Sequence, residues 1–182
     1  MRRHTSTIGP GRAFAVWRDR RGVAGIEFAL IGATLCLFTL NLVDVARYIY
    51  TRMAVQNAAQ IGAQAAWQAC DDTKVPATIL CPGLTTAVTA AVQSTTLGTT
   101  VSLQTGSPSE GYYCINTDNA LQYVSSVSTK PADCSAAGMA TLQPGDYVVV
   151  DVTYSYAPLF ADLTVARLFT TPITETARVR LQ

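Results

Sequence analysis

The stretch VAGIEFALIGATLCLFTLNLV, residues 23–43, decides the architecture of this chain. It contains a single charged residue, Glu27. As an α-helix rising about 1.5 Å per residue it reaches about 31 Å, which is enough to cross the hydrocarbon core of a bilayer. The sequence therefore predicts a transmembrane helix over these residues.

The charges on either side of this stretch predict its orientation. Residues 1–22 contain six Arg and one Asp, a net charge of +5, so the rest of the chain carries −4 of the total of +1. Because basic residues favour the cytoplasmic side, residues 1–22 are predicted to form a cytoplasmic leader, and the lipid bilayer is a predicted partner. The positive charge lies in this leader rather than on a folded surface, so nucleic acid is not a predicted partner.

Glu27 separates several interpretations of the apolar stretch. A cleaved secretory signal needs a shorter apolar core and a small-residue exit site. A plain uncleaved anchor does not explain Glu27 either. A carboxylate within a bilayer raises the free energy of insertion by about 2.5–3.5 kcal/mol or more, and an anchor gains nothing in return. Glu27 therefore needs a partner, unless it lies near enough to the interface for its side chain to reach water.

The run RRGVAGIEF, residues 20–28, resembles the processing site of type IV pilins and pseudopilins, most closely the TadE-like pseudopilins of the Tad/Flp tight-adherence pilus system. In that family an aspartic prepilin peptidase cuts after the Gly of a G-x-x-x-x-E-[YF] pattern. The resemblance implies a cut between Gly22 and Val23, which makes Glu27 the fifth residue of the mature chain. Gly25 is an alternative site that would make Glu27 the second. Phe28 stands where the related major pilins usually have Tyr.

The resemblance also implies a function and a location. It implies a minor pilin subunit in the inner membrane with a periplasmic C-terminal domain, incorporated into an extracellular pilus. The implied partners are the prepilin peptidase, other Tad pseudopilins and pilins, and the inner-membrane assembly platform. Residues 147–160 also resemble the C-terminal region of these proteins. Two alternatives stay open: an uncleaved single-pass scaffold of the secretion apparatus, and a periplasmic adhesion or binding module.

A charge pair explains why an acid follows the predicted cut. Cleavage would give Val23 an α-amino group that is mostly cationic at neutral pH. In a bundle of staggered helices this amine could meet Glu27 of a neighbouring copy, and each charge would offset the desolvation of the other. Glu27 is therefore predicted to set the register of assembly.

The helical pattern continues past the predicted span. Apolar or small residues recur every three or four positions, with Gln and Asn between them, and no Pro occurs from residue 23 to residue 74. We predict one helix of about 70 Å that ends near Ala69, with residues 44–70 as its periplasmic continuation. The predicted packing stripe comprises Tyr50, Ala54, Ala58, Ile61, Ala65 and Ala69. Its small side chains predict a close approach by the element that packs on it.

Residues 71–182 are predicted to form a disulfide-bonded α+β domain. Pro82 and Gly83 introduce a second helix with a predicted stop at Gly98, and alternating residues predict an antiparallel sheet. The strand at 146–156 is the clearest, with Val148, Val150 and Val152 on one face. The other predicted strands cover residues 99–104, 112–115, 121–127 and 173–181, the last with a basic outer face. The predicted fold class is α+β, a long helix packed on a small sheet as in pilins.

The cysteines predict disulfides rather than metal ligands. Cys36 lies in the span, and the other four, Cys70, Cys81, Cys114 and Cys134, allow three pairings. An oxidising compartment favours the pairing of sequence neighbours, Cys70 with Cys81 and Cys114 with Cys134. No C-x-x-C spacing occurs, so no metal site is predicted.

No catalytic residues, cofactor or enzymatic activity are predicted either. The sole His is His4, in the leader, so the outer domain lacks the base that a Ser-His-Asp or Cys-His arrangement needs. Five Tyr in the outer domain are consistent with half-buried sheet residues or with an adhesive surface. They are Tyr112, Tyr113, Tyr147, Tyr154 and Tyr156.

Overall fold

A computed structural model of the chain describes residues 21–70 and 75–181. Its dominant element is α1, a helix of 49 residues over Arg21–Ala69. At about 1.5 Å per residue this helix is about 73 Å long. The prediction of one uninterrupted helix is confirmed. The predicted leader, apart from its last two residues, lies outside the described residues, as do Asp71 and Asp72.

The remaining elements form a small α+β domain on the second half of α1. Two helices follow α1, a short α2 and a longer α3, and five strands come after them. Their bounds are α2 Ala77–Leu80, α3 Leu84–Gln93, β1 Val101–Leu103, β2 Ser109–Ile115, β3 Leu121–Ser126, β4 Gly145–Tyr154 and β5 Ile173–Arg180. Each predicted strand is present with its ends within three residues of the prediction, and the α+β class is confirmed.

Helix α3 ends before the predicted stop at Gly98. Its C-terminal cap is Ser94. The Ser94 hydroxyl donates to the carbonyl of Ala91, and the Thr95 hydroxyl donates to the carbonyl of Val92. The backbone N–H groups of Ser94 and Thr95 also bond the carbonyls of Ala91 and Val92, three residues back, so the last turn tightens. The helix therefore terminates about one turn earlier than the glycine alone predicts.

Strand β4 is the centre of an entirely antiparallel sheet. Along one edge it pairs with β5 from Tyr147 to Tyr154. Along the other edge it pairs with β2 near its start and with β1 near its end, and β3 extends the sheet beyond β2. The predicted inner face of β4 is confirmed, since Val148, Val150 and Val152 are fully buried. Arg178 and Arg180 are exposed on the outer face of β5, as predicted.

The core lies between the second half of α1, helix α3 and the sheet. It is built from small and β-branched residues, which include Val55, Ala58, Ala59, Ala63, Ala66, Val88, Val92 and Val150. The predicted packing stripe is rotated relative to the buried one. Tyr50 is 69% exposed and Ala69 is also exposed, whereas Val55 and Ala59 are buried. Ala occurs on nearly every side of this helix segment, so its sequence period only weakly indicates the buried face.

Gly62 is the point of closest approach between α1 and the rest of the core. A Cβ at this position would lie 2.7 Å from Cγ2 of Val92 and 3.1 Å from Cγ1 of Val150. The close approach expected from the small residues is therefore confirmed, and α3 and β4 both require a glycine here.

We expect Gly62→Ala to lower the free energy of unfolding by about 1–3 kcal/mol, because the added methyl overpacks the core. Chemical unfolding of the full chain in detergent micelles measures the change. Gly32→Ala is the matched control, because its Cβ would meet nothing within 4 Å. This control should leave stability unchanged or raise it by up to about 1 kcal/mol through better helix propensity. Equal effects of the two substitutions would contradict the packing role of Gly62.

The four outer cysteines form the two disulfides between sequence neighbours. Cys70 at the end of α1 is bonded to Cys81 after α2, with the Cα atoms 5.9 Å apart. Cys114 in β2 is bonded to Cys134, with a Cα–Cα distance of 5.7 Å. The first disulfide ties the end of the long helix to the domain. The second ties the loop between β3 and β4 to β2. Cys36 is a free, exposed thiol.

Candidate assembly site on the N-terminal helix

The first half of α1 presents apolar side chains that nothing in the described part of the chain covers. Its most apolar 18-residue window has a mean hydropathy of 2.0 and no buried residue. Phe28 is 80% exposed, Phe38 71% and Leu42 70%. By length and composition this is the one helix in the described residues able to cross a membrane. A single-pass membrane anchor is therefore compatible with the structure.

The predicted processing residues all lie at the beginning of this exposed half. Gly22 and Val23 are in the first turn of α1, and Glu27 and Phe28 follow one turn later, each exposed. Within residues 21–70 and 75–181, the Glu27 carboxylate has no hydrogen bond and no ion pair. Val23 and Glu27 are four residues apart and so lie on the same side of the helix, about 6 Å apart along its axis.

The glycines of α1 fall into two kinds. Gly62 is held by tight packing, as described above. Gly22, Gly25 and Gly32 have no neighbouring heavy atom within 4 Å of an added Cβ. Because a glycine within a helix costs about 1 kcal/mol relative to alanine, packing against the described part of the chain gives no reason for these three. A role in processing or in contacts with other chains would give one.

Four polar residues of α1, none of which was predicted from the sequence as a functional residue, hold the long loop between β4 and β5. Asn41, Asp44, Arg47 and Tyr48 lie on neighbouring turns, and each bonds the backbone of this loop, residues 155–172. Asn41 Oδ1 accepts from the N–H of Val165 at 2.8 Å, and its Nδ2 donates to the carbonyl of Leu163 at 3.1 Å. Arg47 donates to the carbonyl of Ala157, and Tyr48 donates to the carbonyl of Thr170. We call these four residues the polar ladder.

Asp44 is the most buried member of the polar ladder, with no exposed surface. Its two carboxylate oxygens accept from the N–H groups of Leu159 at 3.0 Å and Phe160 at 3.1 Å. The Tyr156 hydroxyl donates to the Asp44 carbonyl oxygen at 3.1 Å. Burial, together with the nearby Asp44 charge, raises the pKa of Tyr156. The first acid after the apolar run thus organises the loop that lies beside the helix.

Aromatic and ionic contacts extend this junction toward the sheet. The ring of Tyr48 packs edge-on against Tyr156, with centroids 5.2 Å apart, and lies 4.6 Å from the ring of Phe169. One turn further along α1, Arg52 forms an ion pair of 2.7 Å with Glu175 on β5. Alternate residues of β5 face the same side, so Glu175 shares the inner face with Ile173 and Ala177. The alternating pattern of the sequence was therefore enough to predict that this acid points inward.

The five tyrosines considered for an adhesive surface are all partly or fully buried. Tyr113 packs edge-on against Tyr123 at 5.5 Å and against Tyr147 at 5.6 Å. Tyr154 packs against the core, and Tyr156 is buried at the polar ladder. Their contacts are those of sheet residues.

A second buried acid, Asp146, lies at the opposite end of β4 from the polar ladder. It is 4% exposed, and neither carboxylate oxygen has a hydrogen-bond partner in the described structure. Burial, with repulsion from Glu110, raises the pKa of Asp146 to about 6, and Lys130 partly offsets this shift. Glu110 is itself engaged, because its carboxylate accepts from the N–H groups of Ala77 and Thr78. No group of three or more potential metal ligands occurs among the described residues.

Asp146 predicts a pH dependence of stability. Its folded pKa lies above the unfolded value of about 3.9, so the native state binds more protons between pH 4 and pH 6 and stability falls as pH rises through this window. We expect the free energy of unfolding to be higher at pH 4.5 than at pH 7 by about 2 kcal/mol from this group. Asp146→Asn should remove that increment in urea unfolding of the full chain. The exposed Asp118→Asn should keep it, and an identical loss in both variants would contradict the assignment.

These features define a class: an α+β protein with one long helix, apolar and uncovered in its first half and packed on an antiparallel sheet in its second. Residues 22–64 match the family model of the TadE-like protein, which confirms the resemblance found at residues 20–28. The match is consistent with a TadE-like protein of the Tad pilus system. It lies entirely within α1 and does not include residues 147–160. No curated protein and no solved structure matches the chain.

Proposed function

We propose that this chain is a pseudopilin, a minor subunit for assembly of a Tad-type pilus. It is inserted in the inner membrane with its N-terminus in the cytoplasm and its C-terminal domain in the periplasm. Prepilin peptidase cuts it between Gly22 and Val23, and α1 then carries it into a bundle with other Tad pseudopilins and pilins at the inner-membrane assembly platform. The role is structural, without catalysis or a cofactor.

The uncovered apolar half of α1 is the observation that carries this proposal. The side chains of Phe28 and Phe38 are more than two-thirds exposed in the single chain. Both residues lie within residues 22–64, the range that the family model matches. Apolar side chains at this density require either lipid or other helices around them. The bilayer surrounds these side chains with lipid before assembly, and the helix bundle surrounds them with other helices after assembly.

The exposed carboxylate of Glu27 supports assembly through the same helix. It has no partner within the described chain, and an unpaired charge is costly in an apolar environment. The α-amino group that cleavage creates on Val23 of a neighbouring copy is a cation that could pair with this carboxylate. Because Val23 and Glu27 are one turn apart, a neighbour shifted by about 6 Å along the axis brings the two charges level.

Small residues on α1 support close contact between helices. Gly25, Ala29 and Ala33 recur every four residues in the exposed half and so share one side of the helix. Small residues at this spacing let helices approach closely within a membrane. The open space around Gly25 is consistent with a contact that only a second chain would complete.

The mass of the mature protein tests the proposal. Membrane fractions with and without the prepilin peptidase should differ by the mass of residues 1–22, and N-terminal sequencing should begin at Val23. An unchanged mass in the presence of the peptidase would favour the uncleaved scaffold. A chain that binds surfaces equally well in cells without pilus machinery would favour the adhesion module.

A further inference from the structure

The loop between β4 and β5 exposes an unusual number of apolar side chains. Leu159 is 59% exposed, Leu163 57%, Val165 51% and Leu168 76%. All four lie within ten residues of each other, on the loop that the polar ladder holds. We call residues 155–172 the juxtamembrane loop, because of its position along α1.

The juxtamembrane loop overlaps the predicted span along the helix axis. Val165 lines a groove of about 470 Å³ together with Thr34, Leu37, Phe38 and Asn41 of α1. All four helix residues belong to the predicted span, residues 23–43. Leu37 lies six residues before the end of that span, which is about 9 Å along the axis. The loop therefore extends below the level at which the helix is predicted to leave the bilayer.

Part of the backbone of the juxtamembrane loop is satisfied by hydrogen bonds within the protein. Irregular backbone is tolerated at membrane depth only where its polar groups are satisfied by protein. Six N–H groups of the loop have protein acceptors: those of Leu159, Phe160, Leu163, Val165, Ala166 and Phe169. Asn41 and Asp44 provide three of these acceptors, and the buried Thr164 hydroxyl provides the acceptor for Ala166.

We infer that the juxtamembrane loop is a second membrane contact, which places its four exposed apolar side chains in the leaflet facing the outer domain. The occupant of this surface is lipid, because the surface is continuous with the uncovered apolar side of α1 at Leu37 and Phe38. The polar ladder then satisfies loop backbone at the membrane boundary and fixes the height of the domain above the bilayer. This inference rests on the proposed membrane insertion of α1.

Fluorophore labelling with quenching by nitroxide-bearing lipids tests the inference on the full chain in phospholipid vesicles. The native Cys36 thiol, labelled in the wild type, reports the middle of the span. Leu163→Cys and Leu168→Cys, each combined with Cys36→Ala, report the loop. Thr141→Cys in the same background is the control, because Thr141 is exposed near the opposite end of β4. Near-UV circular dichroism checks that each variant keeps the fold.

We expect both loop labels to emit at shorter wavelength than the Thr141 label. Interfacial apolar groups lie about 5–10 Å into the headgroup and acyl boundary, so shallow nitroxides should quench the loop labels more than deep ones do. The Cys36 label should show the reverse order. The Thr141 label should be quenched by neither.

Three other results would overturn the inference, and they are distinguishable. A quenched Cys36 label beside unquenched, water-exposed loop labels would refute the loop contact and leave the anchor intact. Blue-shifted loop labels that lipid nitroxides do not quench, and that lose the shift when the protein is diluted in lipid, would show a second copy on this surface. An unquenched Cys36 label would refute the membrane anchor itself, and the loop contact with it.

Discussion

Glu27→Ala should reach the membrane and be cleaved, yet be nearly absent from assembled pili. Removal of one partner of a buried ion pair leaves the other charge unpaired at a cost of about 3–5 kcal/mol, which corresponds to a fall of about 100-fold or more in incorporation. Immunoblotting of the sheared pilus fraction against the membrane fraction measures the ratio. The fold of the single chain should be unaffected, since the Glu27 carboxylate has no hydrogen bond or ion pair within the described residues.

Two further variants separate charge from shape at residue 27. Glu27→Gln keeps the size and removes the charge, so it should fail as Glu27→Ala does. Glu175→Gln makes the same charge change on the outer domain, where it breaks only the partly exposed pair with Arg52, and it should assemble normally. Normal incorporation of Glu27→Gln would refute the charge pair with the neighbouring terminus.

Gly22→Leu should abolish maturation, so that the full-length mass alone is found in the membrane. The resemblance to pilins implies that Gly22 is the residue on the N-terminal side of the proposed cut. Among the described residues nothing lies within 4 Å of an added Cβ at Gly22, so packing there does not require a glycine. A branched side chain is therefore expected to impair recognition by the peptidase rather than folding. Mass spectrometry of the membrane-extracted chain reads the outcome directly.

Gly25→Leu is the matched control for this experiment. Gly25 lies in the same exposed helix, and an added Cβ there also meets nothing within 4 Å. If the cut follows Gly22, Gly25→Leu should still yield a chain that begins at Val23. If Gly25→Leu blocks the cut and Gly22→Leu does not, the assigned bond is wrong.

The elements with the strongest local pattern were predictable from sequence. Helix α1 followed from the unbroken run without Pro, and β4 followed from a period of two that places Val148, Val150 and Val152 on one face and Asp151 and Thr153 on the other. The buried side of α1 was not predictable, because alanines occur all around the helix. Tertiary packing determines which side of α1 is buried, because Val92 and Val150 both approach the helix at Gly62.

The candidate site divides in the same way. Gly22, Val23, Glu27 and Phe28 form a short local pattern, so the sequence alone is enough to predict them as a processing site, and that role stays a prediction. The polar ladder forms no such pattern, because Asn41 and Asp44 bond backbone groups more than 110 residues away. Backbone N–H and carbonyl groups are the same in almost every residue, so these contacts leave no trace in the composition of the loop. The only signal available is a polar residue near the end of the apolar run, Asn41, followed by the first acid after it, Asp44.

The uninterrupted passage of α1 from the apolar half into the domain makes the whole subunit a lever. Its domain is clamped near the middle of the rod by hydrogen bonds from Asn41 to Tyr48 and at the far end by the bond from Cys70 to Cys81. A tilt of about 10° at the N-terminal end displaces the far end of a helix of this length by about 13 Å. Any force that tilts the apolar half of α1 therefore moves the α+β domain by a matching angle.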